Sequence, residues 1–373
     1  MKIGLVCPYN MFQFNGGVQD VVVNLQKHLQ KKGHKVLIIT PRPRAHFDKA
    51  PKGMILIGHS TKMNSFATMV DASFEADGEE IKAMIEKEKF DILHFHEPWQ
   101  PFLSRQILSR SDAVNIATFH GSAPDTRVSK SMLSMVYPYT KTIQKYLHFY
   151  TAVSEPAAEY VSTLTDAPIT IIPNGIEVSK FKVPKDIKKH SKKTILYLGR
   201  LEKRKGLQYL LIAYARLRED HDDVKLIIAG NGMKRESLEK YIIQYEIPDV
   251  TFTGFVPEAD KVGVLASADL FCSPSIYGES FGIILLENMA LGVPIVAGNN
   301  PGYQGVMKGL GRVSLVTPAA TEDFSQRLEL MLYNEDIREL WKKWAKKEIQ
   351  QYDFYKVADA YEEVYKKALK KYA

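Results

Sequence analysis

The sequence predicts an α/β protein made of two Rossmann-like domains, each built on a parallel β-sheet. Short apolar runs alternate with helical segments along the chain, which is typical of parallel sheets that helices cover on both faces. This alternation stops near residue 173 and starts again at residue 194. The 373 residues also exceed one ordinary core, because domains average about 150 residues.

The first domain opens with a strand at residues 3–7 and a helix at residues 18–32. Gly33 then stands where the end of a helix favours a residue with positive φ. Further apolar strand patterns follow at residues 34–40, 54–57, 91–95, 114–119, 149–153 and 169–172. Because helical segments separate most of these runs, we expect a single parallel sheet.

A change in composition marks the domain boundary. Pro173-Asn174-Gly175 interrupts the strand series, and the lysine-rich residues 182–193 follow it. The second domain then shows strands at residues 194–198, 224–229, 250–252, 270–272, 294–297 and 314–316, with helices at residues 207–218, 235–245 and 281–291.

A last amphipathic helix follows Asp353. Its apolar stripe consists of Val357, Tyr361, Val364, Tyr365 and Leu369. We expect this helix to return to the first domain, which would tie the two halves together. The predicted domains are therefore residues 1–172 plus 355–373, and residues 173–354.

Composition and charge narrow the class of protein. Hydrophobic residues make up 45% of the chain, as in folded globular proteins, and the net charge of +7 suits an anionic partner. No run of about 18 uncharged apolar residues occurs, and the N-terminus enters a strand pattern without a signal-peptide core. Only Cys7 and Cys272 are present, which indicates buried thiols in a cytoplasmic protein rather than a disulfide framework.

Two segments leave the kind of partner open. Residues 130–149 mix apolar and aromatic residues with lysines, which fits either a membrane surface or a core edge. Trp341 and Trp344 lie among lysines at helical spacing, which indicates a packing stripe, and no nucleic-acid motif accompanies them. We therefore expect no nucleic acid as a partner.

Glycines and cations follow the first strand of each predicted domain. Gly16 and Gly17 precede the first helix, where glycine lets the backbone approach a ligand and the helix N-terminus favours an anion. Arg200 and Lys205 stand in the loop after the strand that opens the second domain. Two fixed cations can stabilise a departing diphosphate without a metal ion, although solvated surface charges would produce the same pattern.

An acid pair is the strongest motif. Glu279 and Glu287 are separated by seven residues across a loop that leads into a helix. One carboxylate can accept hydrogen bonds from sugar hydroxyls and the other from ribose, while the backbone amides of residues 280–283 can meet phosphate oxygens. The alternative is a helix-capping acid followed by a solvated one.

Taken together, these motifs resemble glycosyltransferase family 4, whose members are retaining enzymes with the GT-B fold of two facing Rossmann-like domains. The resemblance spans nearly the whole chain and includes the motifs above and the Pro173-Asn174-Gly175 linker. Within the family, the chain is most similar to bacterial phosphatidylinositol mannosyltransferases. The similar segments are Val6-Cys7-Pro8-Tyr9, Gly16-Gly17-Val18-Gln19, His94-Phe95-His96-Glu97-Pro98 and Ala117-Thr118-Phe119-His120.

The resemblance implies roles for individual residues. Catalytic roles fall to His120, near the reacting carbon of the sugar, and to Arg200, Lys205 and Glu279. Tyr9 and Gln19 would face the acceptor. The implied donor-binding residues are Gly17, Arg200, Lys205, Val256, Glu258, Glu279, Ser280, Phe281, Gly282, Ile283 and Glu287.

The implied activity is transfer of a hexose, mannose from GDP-mannose first, to a hydroxyl of a lipid acceptor such as phosphatidylinositol. A UDP-sugar donor with another glycolipid or a soluble sugar acceptor is the alternative. The implied site lies in the cleft between the domains, and the protein would be cytoplasmic or peripheral on the inner face of the cell membrane. One departure concerns the acceptor, because the region where relatives carry a basic cluster reads Glu75-Ala76-Asp77-Gly78-Glu79-Glu80.

Other readings of the sequence are weaker. His94 and His96 alternate on a strand and Glu97 follows, but no further ligand has metal-site spacing, so we expect a structural role or a place lining the cleft. Asp220-His221-Asp222 has the Asp-x-Asp pattern of metal-dependent sugar transferases, but it lies in a helix-to-strand turn, at the end of the sheet opposite to the expected ligand site. We therefore expect no metal and no other cofactor. A nucleotide-dependent oxidoreductase would need Gly-x-Gly-x-x-Gly, and Arg235 replaces the third glycine after Gly230 and Gly232. A non-catalytic sugar- or lipid-binding protein of the same fold is the remaining rival.

Overall fold

The computed structural model describes residues 1–12, 16–43, 50–65, 68–99, 103–122, 138–187 and 190–372, with the backbone alone for residues 61–65 and 68–75. The chain forms two units. Unit 1 consists of Met1–Gly175 with Phe354–Ala373, and unit 2 consists of Ile176–Asp353. Residues 130–137 of the segment that fits either a membrane surface or a core edge lie outside the described residues.

Unit 1 contains a sheet of eight strands. The strands are β1 (Lys2–Val6), β2 (Lys35–Arg42), β3 (Met54–Ser65), β4 (Thr68–Glu75), β5 (Ile92–His96), β6 (Val114–Phe119), β7 (Phe149–Ala152) and β8 (Ile169–Ile171). Their order is β4-β3-β2-β1-β5-β6-β7-β8. The helices include α1 (Gly17–Lys31), α2 (Gly78–Glu88), α3 (Leu103–Leu108) and α4 (Glu155–Ser162), and residues 138–144 are also helical.

The parallel sheet predicted for this unit is correct except at one edge. β3 runs on to Ser65 and pairs antiparallel with β4, which the sequence analysis did not predict. Two antiparallel strands can be joined by a tight turn, so the sequence between β3 and β4 contains no crossover helix that would indicate a further strand. Residues 58–75 also mix polar and apolar residues, as edge strands often do, and lack the continuous apolar run of a buried parallel strand.

Unit 2 contains a parallel sheet in the order β11-β10-β9-β12-β13-β14. Its strands are β9 (Lys193–Leu198), β10 (Val224–Ala229), β11 (Val250–Gly254), β12 (Leu270–Ser273), β13 (Ile295–Gly298) and β14 (Leu315–Val316). The helices are α5 (Leu207–Asp220), α6 (Arg235–Gln244), α7 (Glu258–Ser267), α8 (Ile283–Leu291), α9 (Pro301–Val306), α10 (Thr321–Tyr333) and α11 (Glu335–Glu348).

The C-terminal helix α12 (Phe354–Tyr372) belongs to unit 1, as predicted. It packs against α1, and Lys32 at the end of α1 lies 2.6 Å from both Asp359 and Glu362. The buried face of α12 includes Tyr361 and Tyr365 from the predicted stripe. Unit 1 is therefore completed by residues far away in sequence.

Local sequence signals explain several helix starts. Ser154 caps α4 by accepting a hydrogen bond from the Ala157 amide at 3.2 Å, and Pro156 follows in the first turn. Asn334 caps α11 in the same way, with the Ile337 amide at 3.0 Å. On α11, Trp341 is buried and donates to Ser314 Oγ at 2.8 Å, which confirms a packing role for that residue.

Both cysteines are buried free thiols, as the sequence predicts. Burial raises the pKa of Cys7 to about 12, so this thiol stays protonated and unreactive. Within the described parts of the chain, none of the helices combines the length and the apolar character that crossing a bilayer requires.

Candidate functional site

Each sheet has a switch point where the strand order reverses. In unit 2, β9 lies between β10 and β12, so the loops after β9 and β12 leave the sheet in different directions. In unit 1, β1 lies between β2 and β5 and produces the same divergence. Ligands of open α/β sheets bind in the crevice that such loops leave at the carboxyl ends of the strands. The predicted site residues fall on these loops and on their neighbours.

A glycine brings the two unit 2 loops together. Gly206 ends the 3-10 turn Lys203–Lys205 with φ of 69°. A Cβ at this position would lie 2.2 Å from the carbonyl oxygen of Pro274, in the loop after β12, so the position requires glycine. The Ile276 amide also donates to the Arg204 carbonyl at 2.8 Å. The basic turn is therefore fastened to the loop that carries Glu279.

Glu279 lies between two cations. Its Oε1 accepts hydrogen bonds from Lys205 Nζ at 2.6 Å and from Arg204 at 2.9 Å. The Arg204 guanidinium also donates to Glu202 at 2.9 Å and to the Gly278 carbonyl at 3.3 Å. The carboxylate thus holds Lys205 and Arg204 in fixed positions at the switch point.

The charges in this cluster support one another. Burial opposes ionisation of Glu279, but Lys205 and Arg204 outweigh it and hold the pKa of the carboxyl below its usual value. Burial also works against the charge of Arg204, but Glu279 and Glu202 raise its pKa. Glu279 is therefore ionised at neutral pH and Arg204 keeps its charge, although both side chains are partly desolvated.

Arg200 is placed differently from Lys205. Its side chain is 46% exposed, against 15% for Lys205, and its contact is an ion pair with Glu202 at 3.3 Å. Its backbone is held, because Tyr197 Oη donates to the Arg200 carbonyl at 2.7 Å. Arg200 thus has a fixed backbone and an exposed guanidinium group, which can turn toward an anionic ligand.

The loop after β12 places the start of α8 at the carboxyl edge of the sheet, where the loop after β9 also lies. Gly282 is the N-cap residue with φ of 101°, and no side chain caps this end of the helix. A Cβ on Gly282 would lie 2.7 Å from the Tyr303 ring, so the turn again requires glycine. Phe281 is buried, whereas Ser280 and Ile283 are partly exposed. The helix starts at Ile283 rather than at residue 281, and Glu279 is not its cap.

Glu287 sits one turn into α8 in a second charged cluster. It is buried, and its Oε1 lies 2.6 Å from Lys261 Nζ on α7. Lys261 also lies 3.6 Å from Glu258, which begins α7 with a largely exposed side chain. Val256, two residues before α7, is partly exposed. The structure therefore connects Glu258 and Glu287 through Lys261, while Glu279 belongs to the other cluster.

In unit 1, the loop after β1 leads into α1. Gly16 is the N-cap residue without a side-chain hydrogen bond, and Gly17 is the exposed first residue of the helix. Gln19 donates to the Asn10 carbonyl at 3.4 Å, and the Tyr9 carbonyl accepts from Thr40 at 2.9 Å. Tyr9 and Gln19 are both partly exposed. The helix thus begins with an uncapped N-terminus beside the two predicted acceptor residues.

His120 follows β6 and is buried. Its backbone amide and that of Gly121 donate to Glu97 Oε1, and the distance from Gly121 is 2.6 Å. Its Nε2 lies 3.0 Å from His96 Nδ1. Burial lowers the pKa of His120 to about 3, so the imidazole is neutral at physiological pH.

Several residues of these clusters were not singled out as site residues by the sequence analysis. Arg204 and Lys261 were missed, although the alternating charges of residues 202–205 are a usable signal for Arg204. The sequence analysis gave His94, His96 and Glu97 a structural role or a place lining the cleft. His94 has such a structural role, because it bonds Tyr365 at 2.7 Å and Thr118 at 2.6 Å.

Known proteins resemble this chain along nearly its whole length. Residues 15–180 match the family profile described as Glycosyltransferase Family 4, and residues 179–348 match the one described as Glycosyl transferases group 1. A phosphatidyl-myo-inositol mannosyltransferase of Mycobacterium leprae is 30% identical, over 98% of this chain and 96% of the relative.

Solved structures share the fold. Sucrose-phosphate synthase of Thermosynechococcus elongatus superposes with a TM-score of 0.79 at 18% identity, over 98% of each chain. The Anabaena protein HepE in complex with UDP-glucose superposes with a TM-score of 0.77 at 16% identity, over 98% of this chain and 100% of that one.

Proposed function

Because this chain belongs to glycosyltransferase family 4 and is a hexosyltransferase, we propose that it transfers mannose from GDP-mannose to a hydroxyl of a phosphatidylinositol-type lipid. The relative from Mycobacterium leprae carries this acceptor and this sugar in its name. The observation that most supports the proposal is the Glu279 carboxylate that holds Lys205 and Arg204 at the switch point of unit 2.

This cluster suits a departing diphosphate. When the bond between the anomeric carbon and the diphosphate oxygen breaks, negative charge grows on the leaving group. Lys205 and the exposed Arg200 can take up that charge, and cations that are already oriented require little reorganisation at that moment. A metal ion is not needed for this role, because guanidinium and ammonium groups bind phosphate oxygens directly. We propose that the enzyme works without a metal or another cofactor.

We assign the remaining residues to the donor. Backbone amides at Ser280, Phe281, Gly282 and Ile283 meet phosphate oxygens, since the start of α8 has no side-chain cap. Glu279 accepts from hydroxyls of the sugar and Glu287 from those of the ribose. Gly17 approaches the diphosphate, Val256 and Glu258 lie near the base, and His120 meets the transferred sugar.

The proposed reaction balances without a protein nucleophile. The acceptor oxygen, with Tyr9 and Gln19 near it, bonds to the anomeric carbon on the face that the leaving group vacates, so the configuration is retained. The electron pair of the broken C–O bond leaves with the diphosphate. The proton of the acceptor hydroxyl passes to an oxygen of that diphosphate, which becomes basic as it departs.

A second acceptor class rests on one observation. The first turn of α2 carries Glu79 and Glu80, and Asp77 caps the helix by accepting from the Glu79 amide at 3.0 Å. Glu80 is ion-paired with Arg42, so Asp77 and Glu79 are the acids that stabilise the positive end of the helix and repel anionic headgroups. They favour an acceptor that is a glycolipid with an uncharged headgroup or a soluble sugar. In this second candidate function the donor is a UDP-sugar.

A donor-hydrolysis panel tests the proposal. The protein is incubated with GDP-mannose, GDP-fucose, UDP-glucose and UDP-galactose, and the released nucleotide is measured. We expect hydrolysis of GDP-mannose above the others, and faster turnover with phosphatidylinositol in vesicles than with diacylglycerol or free inositol. If the protein prefers a UDP-sugar or the uncharged acceptor, the second acceptor class described above replaces transfer of mannose from GDP-mannose to phosphatidylinositol.

Binding of a donor without hydrolysis or transfer to any acceptor would favour a non-catalytic protein. Vesicle flotation separates docking from chemistry. Flotation of the protein with anionic but not neutral vesicles supports a lipid acceptor at the membrane surface. Equal flotation with both kinds of vesicle supports the second acceptor class, because the acids of α2 would then prevent a preference for anionic headgroups.

A further inference from the structure

A buried pair of histidines lies at the carboxyl ends of β5 and β6. His96 is the last residue of β5, and His120 directly follows β6. His96 Nδ1 lies 3.0 Å from His120 Nε2, and the two ring planes are inclined by 28° with 5.3 Å between centroids, so the rings meet end to end. Because this is a hydrogen bond between two ring nitrogens, one of them must donate a proton and the other must accept it.

Glu97 fixes the backbone beside this pair. It is buried with φ of 50°, and its Oε1 accepts from the amides of both His120 and Gly121. A carboxylate that binds two consecutive amides leaves the turn after β6 little freedom. The position of the His120 ring is therefore set from one side by Glu97 and from the other by His96.

Both imidazoles are neutral. Burial is the main reason that the pKa of His96 lies well below its usual value and that the pKa of His120 falls to about 3. The ring of His94 packs 4.2 Å from that of His96 and adds no charge, because its own pKa is lowered to about 3 by burial. Each ring thus has one proton, and a single proton lies between His96 Nδ1 and His120 Nε2.

The other nitrogen of His96 shows which ring donates. His96 Nε2 is buried and has no hydrogen-bond partner among the described residues. If His120 donated to His96, the proton of His96 would sit on Nε2 as an unsatisfied buried N–H. Orphaned buried N–H groups are rarer in proteins than under-satisfied acceptors. If His96 donates instead, Nε2 is only a bare acceptor.

We propose that His96 is a positioning residue which donates from Nδ1 to His120 and so holds His120 in the tautomer protonated at Nδ1. A hydrogen bond to one ring nitrogen decides where the proton of a neutral histidine sits. His120 then has an Nδ1–H available as a donor, and this nitrogen has no partner among the described residues. Unlike His96 Nε2, it is not one of the fully buried side-chain atoms that lack a partner, so a proton there is not an orphaned buried N–H. The proposal rests on the proposed function only in that the transferred sugar would receive this hydrogen bond.

The tautomer can be measured directly. Protein labelled with 15N-histidine gives long-range 15N–1H correlations in which protonated and bare ring nitrogens differ. The His120 signals are assigned by their loss in His120→Asn. We expect Nδ1 protonated and Nε2 bare at pH 7 in the wild-type protein. A His120 ring protonated at Nε2 would overturn the proposal, whether or not the protein transfers mannose.

Two substitutions of His96 separate positioning from packing. In His96→Asn the amide nitrogen takes the place of Nδ1 and can still donate, so we expect an unchanged His120 tautomer and a kcat close to wild type. In His96→Leu the donor is lost, and we expect a mixture of His120 tautomers and a kcat about ten- to a hundredfold lower, the usual range for losing a partner that orients a ring. Equal loss in both variants would indicate packing alone and would contradict the proposal.

Tyr365→Phe is the matched control. It removes one hydrogen bond from the same buried region, because Tyr365 Oη bonds His94 Nδ1 at 2.7 Å, but it leaves the His96–His120 contact untouched. We expect an unchanged His120 tautomer in this variant. A changed tautomer would mean that the whole buried network sets it and not His96. Failure of the GDP-mannose assay with the expected tautomer would instead refute the proposed function alone.

Discussion

Four cationic side chains lie between Arg200 and Lys205, directly after β9, and Arg200, Arg204 and Lys205 differ in how firmly each is held. Lys205 and Arg204 bond Glu279, whereas Arg200 is exposed and meets only Glu202 among the described residues. A cation that is fixed before the ligand arrives contributes more to transition-state stabilisation than one that must be ordered. Lys205 is therefore the residue whose loss should affect chemistry most cleanly.

The first prediction concerns Lys205. Lys205→Ala should lower kcat for GDP-mannose hydrolysis by about a hundredfold or more, which is the scale of one preorganised charge contact. Glu279→Gln should have a comparable effect, because it removes the charge that holds Lys205 and Arg204. Steady-state kinetics measures both. Lys240→Ala is the control, since Lys240 pairs with Glu236 on an exposed helix face. Normal turnover in Lys205→Ala would refute the assignment of the site.

At the scale of elements, glycines decide where the loops can go. The second prediction is that Gly206→Ala destabilises unit 2 by at least about 1–2 kcal/mol, because a side chain is strained at positive φ and the new Cβ meets the Pro274 carbonyl. Urea denaturation measures the change. The variant should also lose activity beyond its loss of stability, because the turn that carries Lys205 moves.

Gly263→Ala provides the comparison for Gly206→Ala. Gly263 lies inside α7, and a Cβ there would meet no atom within 4 Å. This substitution should stabilise the protein by about 0.5–1 kcal/mol through helix propensity. If both substitutions changed the free energy of unfolding in the same direction, the steric argument for Gly206 would be wrong.

The third prediction concerns the ion pairs that attach α12 to the end of α1. Lys32, Lys366 and His34 surround Glu362, and their hydrogen bonds, led by that of Lys32, lower the pKa of Glu362 from 4.5 to about 2. A depressed pKa means that the folded state binds this proton less readily than the unfolded chain does. The stabilisation is therefore present above pH 4.5 and is lost as the pH falls toward 2.

Replacing Glu362 removes that dependence. Glu362→Gln should lower the melting temperature at pH 7 by about 2–4 °C, the shift that corresponds to roughly 1 kcal/mol in a domain of this size. The difference from wild type should shrink as the pH approaches 2. Glu363→Gln is the control, since Glu363 is exposed and pairs with Lys366 alone among the described residues. A constant difference across the acid range would exclude Glu362 as the titrating group.

At the scale of the whole molecule, the fourth prediction distinguishes this chain from an oxidoreductase with a similar sheet. GDP at about a hundred times its Kd should raise the free energy of unfolding by about 2.7 kcal/mol, because it binds the native state only. Thermal unfolding should show this shift with GDP, and Lys205→Ala should reduce it. Stabilisation by NAD but by neither GDP nor UDP would contradict the assignment to sugar transfer.

Much of the architecture follows from sequence because local physics determines it. Apolar runs of strand length between helices predict parallel sheets, and β6 and β10 begin and end where the apolar runs do, at Val114–Phe119 and Val224–Ala229. The return of α12 to unit 1 follows from its apolar stripe. β4 was not predicted, because an antiparallel edge strand is preceded by no crossover helix and has no continuous apolar run.

The sequence alone determined the two Rossmann-like units and identified the glycine, basic and acidic loops as candidate ligand-binding segments. Only the tertiary structure decided which charges meet. Arg204 rather than Arg200 bonds Glu279 because Gly206 presses the turn against Pro274, and Lys261 reaches Glu287 from another helix. His96 and His120 meet because β5 and β6 are neighbours in the sheet. Local sequence sets which element a residue joins, but contacts between residues far apart in the chain depend on how the elements pack.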